Sequence, residues 1–403
     1  MKYNDNILCA LDIGASKICC MIACRENSGV LRILGTGQYT SSGFKGGIIS
    51  DMKSLENSVK MAISIAENEA EVKIDSIVLG INIGKIGSNI ISSGIEIEGS
   101  VVSEDDIKKV SLTGRSSTVR DNSTAVHDLL IGFALDGMKG ILDPRGMFGK
   151  HLSVDLHQVS VLSDPLKTLT SCITCLDINI NHLVVSAYAS GLSTLSVDEK
   201  KLGSVVLDIG SNTTSLSIFH DGVMVYAESF SDGGEYITLE IAKQLSISFN
   251  EAERVKVMYA RAISGPEDSN ALLELPPIGN FSDEQPIVVN RASVVKIVST
   301  RLVGLFESAK HIIEKSGYSS VIAKRVVLTG GTSEIDGILQ IAAEILNFQP
   351  RVGKPTDILA LTDEVRKPAF AVACGLLNFA NEEKSPQILG NLSLKNNKNK
   401  NNF

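Results

Sequence analysis

The sequence predicts an α/β protein that contains two copies of one supersecondary unit. Its 403 residues, 43% of them apolar, are enough for two or more packed units with large cores. A short apolar strand ends in Asp-Ile-Gly at Asp12 and again at Asp208, and two further strands follow each time. The aspartates are 208 − 12 = 196 residues apart, a spacing that indicates duplicated domains rather than a solenoid.

The composition excludes several classes of function. The chain has 38 Lys and Arg against 46 Asp and Glu, a net charge of −8, so we expect no nucleic-acid partner. Seven cysteines are expected to be reduced, with Cys172 and Cys175 inside a helix rather than in a zinc or redox site. No signal-peptide pattern and no apolar run of about 20 residues is found, so we expect a cytoplasmic chain, at most peripheral to a membrane.

The two copies correspond strand by strand. We predict strands at 7–12, 18–23 and 30–34 in the first copy, and at 205–207, 216–219 and 223–226 in the second. Each first strand is followed by a glycine loop, in which backbone N–H groups can approach a phosphate closely. Four hydroxyls and one ammonium group add donors to the two loops: Ser16, Ser211, Thr213, Thr214 and Lys17.

The aspartates of the two loops, Asp12 and Asp208, would face each other across a cleft. Paired carboxylates near phosphates usually hold Mg²⁺, often through water. A single loop of this kind is more simply explained as a tight turn. Two loops in the same supersecondary context favour phosphate binding.

Two further patterns agree with a nucleotide site. Residues 325–329 form a strand that runs into Gly330, Gly331 and Thr332, a surface on which a base or an α-phosphate can lie, with Ser333 and Asp336 predicted as a helix N-cap and its partner. Glu253 and Lys256 are three residues apart on a predicted helix and therefore share a face. A carboxylate beside an ammonium group suits the hydroxyls of a ribose, although such pairs are common on solvated helices.

These elements, in this order, resemble the actin, Hsp70 and sugar-kinase superfamily. Residues 12–17 resemble its first phosphate loop, 208–214 its second and 327–332 its adenosine motif. Within that superfamily the sequence most resembles the FtsA family of bacterial cell-division proteins, over about residues 7–380. The segments that carry this closer resemblance are an early loop at 42–51 and two connecting segments at 183–194 and 366–377.

The resemblance implies an actin-like two-lobed α/β fold, in which a ribonuclease-H-like domain is duplicated and an α+β subdomain is inserted. The implied segments are 1–83 (subdomain 1A, first part), 84–164 (inserted subdomain 1C, an interaction module), 165–202 (1A, second part), 203–231 (2A, first part), 232–304 (2B, which would bind a partner peptide), 305–371 (2A, second part), 372–385 (closing helix of 1A) and 386–403 (a flexible tail).

The resemblance also implies ATP and Mg²⁺ as cofactors, with the metal held by Asp12 and Asp208. The implied nucleotide-binding residues are Asp12, Gly14, Ala15, Ser16, Lys17, Asp208, Gly210, Ser211, Asn212, Thr213, Thr214, Gly234, Glu253, Lys256, Gly330, Gly331 and Thr332.

The sequence departs from the family pattern at the second loop and at the first connecting segment. Ser211 and Asn212 replace two glycines, and we expect Asn212 to fit because Asn tolerates a left-handed backbone. Ser215 stands where the family often has Asp. Residues 186–190 contain no Glu or Gln to orient an attacking water. We therefore assign no catalytic residue and expect at most a slow ATPase.

The implied function is a nucleotide-dependent scaffold that self-assembles and tethers the tubulin-like division ring, FtsZ, to the inner face of the cytoplasmic membrane at the division site. Lys296 and Arg301, on a predicted helix at 294–306, would bind the C-terminal peptide of FtsZ. Subdomain 1C would contact other division proteins. The Asn- and Lys-rich tail, 386–403, is a candidate for weak attachment to anionic lipid when many copies assemble.

Two alternatives within the same superfamily stay open at this point. One is a pilus-assembly scaffold with a similar inserted subdomain. The other is an exopolyphosphatase-like phosphohydrolase, because the sequence of residues 208–212 resembles the loop of those enzymes. Those enzymes carry that loop at their first motif, whereas here it stands at the second.

Overall fold

The computed structural model describes residues 6–99, 101–116, 122–278, 285–356 and 358–383. The first half of the chain contains β1 (Ile7–Ile13), β2 (Lys17–Arg25), β3 (Leu31–Thr40), β4 (Phe44–Lys45), β5 (Ile48–Ile49), α1 (Met52–Ala70) and β6 (Ser76–Ile81). The apolar sequence of β1 and β2 suits central strands that are covered on both faces. Helix α1 begins at Asp51, whose carboxylate accepts from the N–H groups of Lys53 and Ser54.

An inserted α+β subdomain follows and packs around a small core of its own. Its elements are β7 (Gly87–Glu96), α2 (Glu104–Ser116), β8 (Ser123–Leu135), β9 (Met138–Ile141) and β10 (His151–Leu162). The four strands form a separate antiparallel sheet in the order β7-β10-β8-β9. At the start of α2, the N–H of Ser103 donates to the carboxylate of Asp106, and the N–H of Asp106 donates to the hydroxyl of Ser103, which is a reciprocal cap.

The chain returns to the first half and then crosses to the second. The returning elements are α3 (Ser163–Thr174), β11 (Asn179–Val185), α4 (Ser186–Thr194) and α5 (Val197–Leu202). Cys172 lies inside α3 and Cys175 at its C-cap, and all seven cysteines are free.

The second half repeats the sheet and adds helices and a small hairpin. Its elements are β12 (Ser204–Ile209), β13 (Thr214–His220), β14 (Val223–Phe230), α6 (Gly234–Leu245), α7 (Phe249–Tyr259), β15 (Leu272–Leu275), β16 (Ile287–Asn290), α8 (Arg291–Lys315), β17 (Arg325–Thr329), α9 (Ile338–Leu346) and β18 (Gln349–Val352). The chain then returns to the first half, to which β19 (Ile358–Leu359) adds an edge strand and α10 (Ala371–Glu383) adds a helix.

The two large sheets have the same strand order and directions. In the first sheet the order is β11-β6-β1-β2-β3-β19, and in the second it is β18-β17-β12-β13-β14. In both, the strand before the glycine loop pairs antiparallel with the next strand of the hairpin and parallel with a later strand. The predicted fold class, including the duplication and the inserted subdomain, is therefore confirmed.

Helix α4 packs against strands of both large sheets, and α10 of the first half crosses it closely. A Cβ on Gly375 of α10 would lie 1.8 Å from the carbonyl oxygen of Ala189 in α4, so only glycine permits this approach. The predicted connecting segments at 183–194 and 366–377 contain α4 and the N-terminal part of α10.

One predicted local element is wrong. Ser333 does not cap a helix with Asp336 as its partner, because residues Gly331–Glu334 form a short 3₁₀ turn and α9 begins only after Gly337. Gly337 has a φ of 82°, a left-handed conformation that separates the turn from the helix. The Ser333 hydroxyl instead donates to the carbonyl of Gly330, 2.7 Å away.

Candidate functional site

A cavity of about 720 Å³ lies between the halves, where the carboxyl ends of parallel strands from both sheets meet. In the first sheet these ends bring Asp12, Asn82 and Ser186 to the cavity wall, from or directly after β1, β6 and β11. In the second sheet they bring Asp208 and Gly330. The carboxyl ends of the parallel strands in both sheets therefore supply polar side chains and backbone to the site.

The two glycine loops have the same backbone hydrogen bond. The N–H of Gly14 donates to the carbonyl of Lys17 over 3.0 Å, and the N–H of Gly210 donates to that of Thr213 over 2.9 Å. Neither Ser211 nor Asn212 has a positive φ, so Asn212 occupies the loop without the left-handed backbone from which its fit was predicted. The second loop forms without the extra glycines because its tight turn does not require them.

The two aspartates lie half-buried in the cavity wall, near enough for their charges to interact, and the charge of Lys17 acts on both. Burial raises the pKa of Asp12 to about 6, against the attraction of Lys17. Burial raises the pKa of Asp208 to about 7, and repulsion from Asp12 adds to it. Burial also lowers the pKa of Lys17. An additional cation between the carboxylates would favour their charged forms.

The donor set fits a hydrated divalent cation. Beside the two carboxylates, Oδ1 of Asn212 is buried and has no hydrogen-bond partner among the described residues, so one more oxygen is left for an ion or its water. Within the ranges that the structure describes, no group of three or more His, Cys, Asp or Glu side chains could hold a metal. Such an ion would depend on water and phosphate for its remaining ligands.

The double glycine after β17 serves two different needs. Gly330 has φ 81° and ψ 162°, and a Cβ there would lie 2.4 Å from Oδ1 of Asp208. At Gly331 a Cβ would meet nothing closer than Ala369, 3.8 Å away, so this residue leaves the cavity wall flat and open. Thr332 ties the turn to the second loop, since its hydroxyl donates to the carbonyl of Gly210 over 2.9 Å.

The predicted ion pair on α7 exists and faces the cavity. Nζ of Lys256 donates to Oε2 of Glu253 over 2.7 Å, to the hydroxyl of Thr238 over 2.8 Å and to the carbonyl of Gly234 over 3.1 Å. These contacts hold the lysine at the start of α6. The Glu253 side chain stays 44% exposed, so its carboxylate remains accessible to a ligand.

All the predicted nucleotide-binding residues except Thr214 line this one cavity. Thr214 is fully buried in β13, and its hydroxyl donates to the carbonyl of Asp232 over 2.9 Å. Sequence reasoning missed several other lining residues: Asn82, Ser186, Arg261, Arg291, Glu334 and Asp336. The first two stand directly after predicted or apolar strands, a signal that could have found them.

The two predicted partner-binding residues lie on different sides of α8. Arg301 donates from Nη2 to Oδ1 of Asp232 over 2.8 Å and lies against the ring of Tyr236. Lys296 is exposed and lines a separate groove between α8 and α9, together with Glu344. A single ligand would have to span both sides to contact both residues.

The duplicated sheets, the shared cavity and the paired glycine loops define an actin-like fold. Among solved structures the chain is similar to the PilM–PilN type IV pilus biogenesis complex, with a TM-score of 0.64 and 15% identity over 93% of this chain and 98% of that one. It is also similar to MreB5 of Spiroplasma citri bound to ADP, with a TM-score of 0.55 and 12% identity over 95% and 100%. These likenesses concern the fold alone.

Sequence comparisons give the family. The model for "Cell division protein FtsA" matches residues 205–375, and that for "SHS2 domain inserted in FTSA" matches 84–160. The chain is 35% identical to the cell division protein FtsA of Agrobacterium fabrum (strain C58) over 93% of this chain and 87% of that protein. It is 26% identical to the Escherichia coli K12 protein of the same name, over 95% and 92%. The chain belongs to the FtsA family of cell division proteins.

Proposed function

We propose that this chain binds ATP with Mg²⁺ in the cavity between its halves, and that the bound nucleotide controls its self-assembly into a scaffold for the division ring. The observation that supports this most is the pair of matching loops with Asp12 and Asp208 in the wall of one cavity. Membership of a cell-division family favours this function over the pilus scaffold and the phosphohydrolase.

Each part of the nucleotide has a counterpart in the cavity. The two loops and Lys17 would hold the phosphates through backbone N–H groups, hydroxyls and charge. Asp12 and Asp208 would hold Mg²⁺ largely through water. The bound cation would neutralise charge on the phosphates. Glu253 and Lys256 would contact the ribose, and the open backbone at Gly331 would lie against the base.

We propose slow hydrolysis. Of residues 186–190, Ser186 reaches the cavity, and its hydroxyl donates to the carbonyl of Ile81 over 3.3 Å. The segment 186–190 has no carboxylate or amide that could orient a water molecule, so positioning of the nucleophile is weak. A turnover of several per second by the isolated protein would contradict this proposal.

Titration with fluorescent ATP tests the cofactor assignment. We expect Gly331→Asp to abolish binding, because it places a carboxylate on the open wall while nothing nearby prevents folding. Gly331→Ala is the matched control and should keep the fold and much of the affinity. Wild-type affinity in the Asp variant would remove Gly331 from the site.

We also propose that the chain tethers FtsZ to the inner face of the cytoplasmic membrane, with subdomain 2B (232–304) binding the FtsZ C-terminal peptide and subdomain 1C (84–164) binding other division proteins. No helix in the described ranges is long and apolar enough to span a bilayer. The candidate membrane segment, 386–403, lies outside the described residues. Flotation of full-length and 386–403-deleted protein with anionic vesicles, with and without ATP, tests the attachment.

The peptide site can be tested at Arg301. Reversing its charge, Arg301→Glu, should weaken peptide binding by about 1–3 kcal/mol if it pairs with a peptide carboxylate. Asp232→Asn is the informative control, because it removes the negative charge of the internal partner of Arg301 and should leave peptide binding equal or tighter. Unchanged affinity in Arg301→Glu would assign the arginine to the internal pair alone, and Lys296→Glu then tests the groove separately.

A further inference from the structure

The two halves of the molecule touch directly at the loop end of the cavity. Nδ2 of Asn82, the residue after β6, donates to Oγ1 of Thr213 in the second glycine loop over 2.8 Å. Both residues line the cavity. This hydrogen bond therefore joins the first half to the second where the two loops face each other.

The position of Asn82 follows from the order of the strands. In the first sheet β6 lies between β1 and β11 and runs parallel to both, so its carboxyl end opens between the first loop and helix α4. Leu79 pairs with Leu11 of β1, and Asn82 follows three residues later, beside the glycine of the first loop. The backbone thus aims this amide across the cavity, and packing of a buried strand fixes it.

Thr213 occupies the same position in the second loop as Lys17 in the first, five residues after the aspartate. Its Oγ1 already accepts a hydrogen bond from Asn82, so the hydroxyl proton of Thr213 is left to donate elsewhere. A hydroxyl group whose rotation is already restricted donates in a fixed direction. A freely rotating hydroxyl must lose rotational freedom when a ligand binds, and this loss weakens binding.

A second contact between the halves differs in kind. Nζ of Lys45 lies 2.5 Å from Oε1 of Glu235, and the two side chains are 66% and 14% exposed. Neither residue is among those that line the cavity, so this pair does not touch what occupies it. The part-buried Asn82–Thr213 bond adjoins the space between the loops and is the contact that a bound phosphate group would strengthen or break.

We propose that Asn82 is a positioning residue that acts through Thr213 and makes the cavity prefer a nucleoside triphosphate to a diphosphate. The inference rests on the proposed nucleotide function. Asn82 holds the Thr213 hydroxyl in the direction that serves the terminal phosphate, and contact with that phosphate holds the two halves together. A diphosphate lacks the terminal group and gains nothing from the held hydroxyl.

The test compares the dissociation constants of ATP and ADP, each with Mg²⁺, in four variants of the full chain. We expect Asn82→Ala and Thr213→Val each to weaken ATP binding roughly five- to tenfold, the factor of one typical hydrogen bond, and to leave ADP binding within about twofold. The double variant should lose no more than the larger single loss, because both changes remove one interaction. Thr213→Ser keeps the hydroxyl and should therefore keep the preference for ATP over ADP.

Asn179→Ala is the matched control, because that amide also makes one hydrogen bond, to the carbonyl of Asp75 on the exposed surface. A structural role for Asn82 would weaken ATP and ADP equally, and that result overturns the proposal. Wild-type ATP and ADP affinities in Asn82→Ala overturn it as well and leave the proposed function intact. Failure of the wild type to bind either nucleotide overturns both.

Discussion

The two halves of the molecule have the same sheet and the same loop hydrogen bond, yet they present different side chains to the cavity. The fifth residue after the aspartate is Lys17 in the first loop and Thr213 in the second. The parallel strand beside each loop also ends differently. Asn82 stands three residues after Leu79 in the first half, and Gly331 stands three residues after Leu328 in the second. The two halves therefore share the backbone of the site. At these positions the first half presents an ammonium group and an amide, and the second half presents a hydroxyl and a glycine.

The halves also differ outside the sheets. The first half carries the inserted α+β subdomain on a separate sheet, and the second half carries helices α6 to α8 with a two-stranded hairpin. The inserted subdomain contributes none of the residues that line the cavity, whereas α6 and α7 contribute Gly234, Glu253 and Lys256. The addition to the second half is therefore part of the site, and the addition to the first half lies outside it.

The largest effect that distinguishes the halves should come from Gly330. We expect Gly330→Ala to lower the free energy of unfolding by about 3 kcal/mol or more, because φ 81° with ψ 162° is open almost only to glycine and the new Cβ would strike Asp208. Urea denaturation measures it, and Gly331→Ala, with open space around its Cβ, is the control. Equal losses in both variants would show that the backbone at Gly330 adapts.

The second prediction compares the aspartates of the two loops. In nucleotide- and metal-free protein at pH 8, Asp208→Asn should raise the free energy of unfolding by about 2 kcal/mol, since it removes a carboxylate whose charge is costly to bury. The folded pKa of Asp208, about 7, lies above its unfolded value. The gain is therefore full above pH 7 and disappears as the pH falls toward 4.

Asp12→Asn should give a smaller gain, because Lys17 offsets part of the cost and the pKa of Asp12 is raised only to about 6. Denaturation in EDTA at pH 8 and pH 5 measures both variants. A loss of stability in Asp208→Asn, or equal gains in the two variants, would mean that the loops do not differ in this way.

The last prediction concerns the contact between the inserted subdomain and the second half. Nδ1 of His157 donates to the carbonyl of Met224 over 2.7 Å, and its Nε2 accepts from Ser88, whose oxygen accepts from the N–H of Ala227. Burial lowers the pKa of His157 to about 4. Because unfolding releases a histidine that takes up a proton, this group reduces stability as the pH falls from about 6.5 to 4.

His157→Gln should therefore flatten the pH profile of the unfolding free energy by about 1 kcal/mol per pH unit in that range, compared with the wild type. The comparison with the wild type cancels the opposite contribution of the buried aspartates. Parallel profiles for the two proteins would show that His157 is protonated or released before unfolding.

Local patterns in the sequence were sufficient for much of the frame. The strands around both loops were predicted because short apolar runs bounded by Asp-Ile-Gly and by turns rarely form anything other than strands. The observed strands extend further at their ends. The prediction failed at Ser333, where a left-handed glycine four residues after the expected cap, Gly337, begins the helix instead. Thr214 was assigned to the site by its hydroxyl, but strand alternation turns it into the core.

The sequence by itself determined the duplication, the two loops and the chemistry of their side chains, because each depends on a few neighbouring residues. Only the tertiary structure decided that Asn82 reaches Thr213, residues 131 apart, since strand order and sheet closure set that distance. It also decided that Arg301 meets Asp232 while Lys296 lies in another groove. Contacts between distant segments depend on the packing of the whole core, which no local pattern encodes.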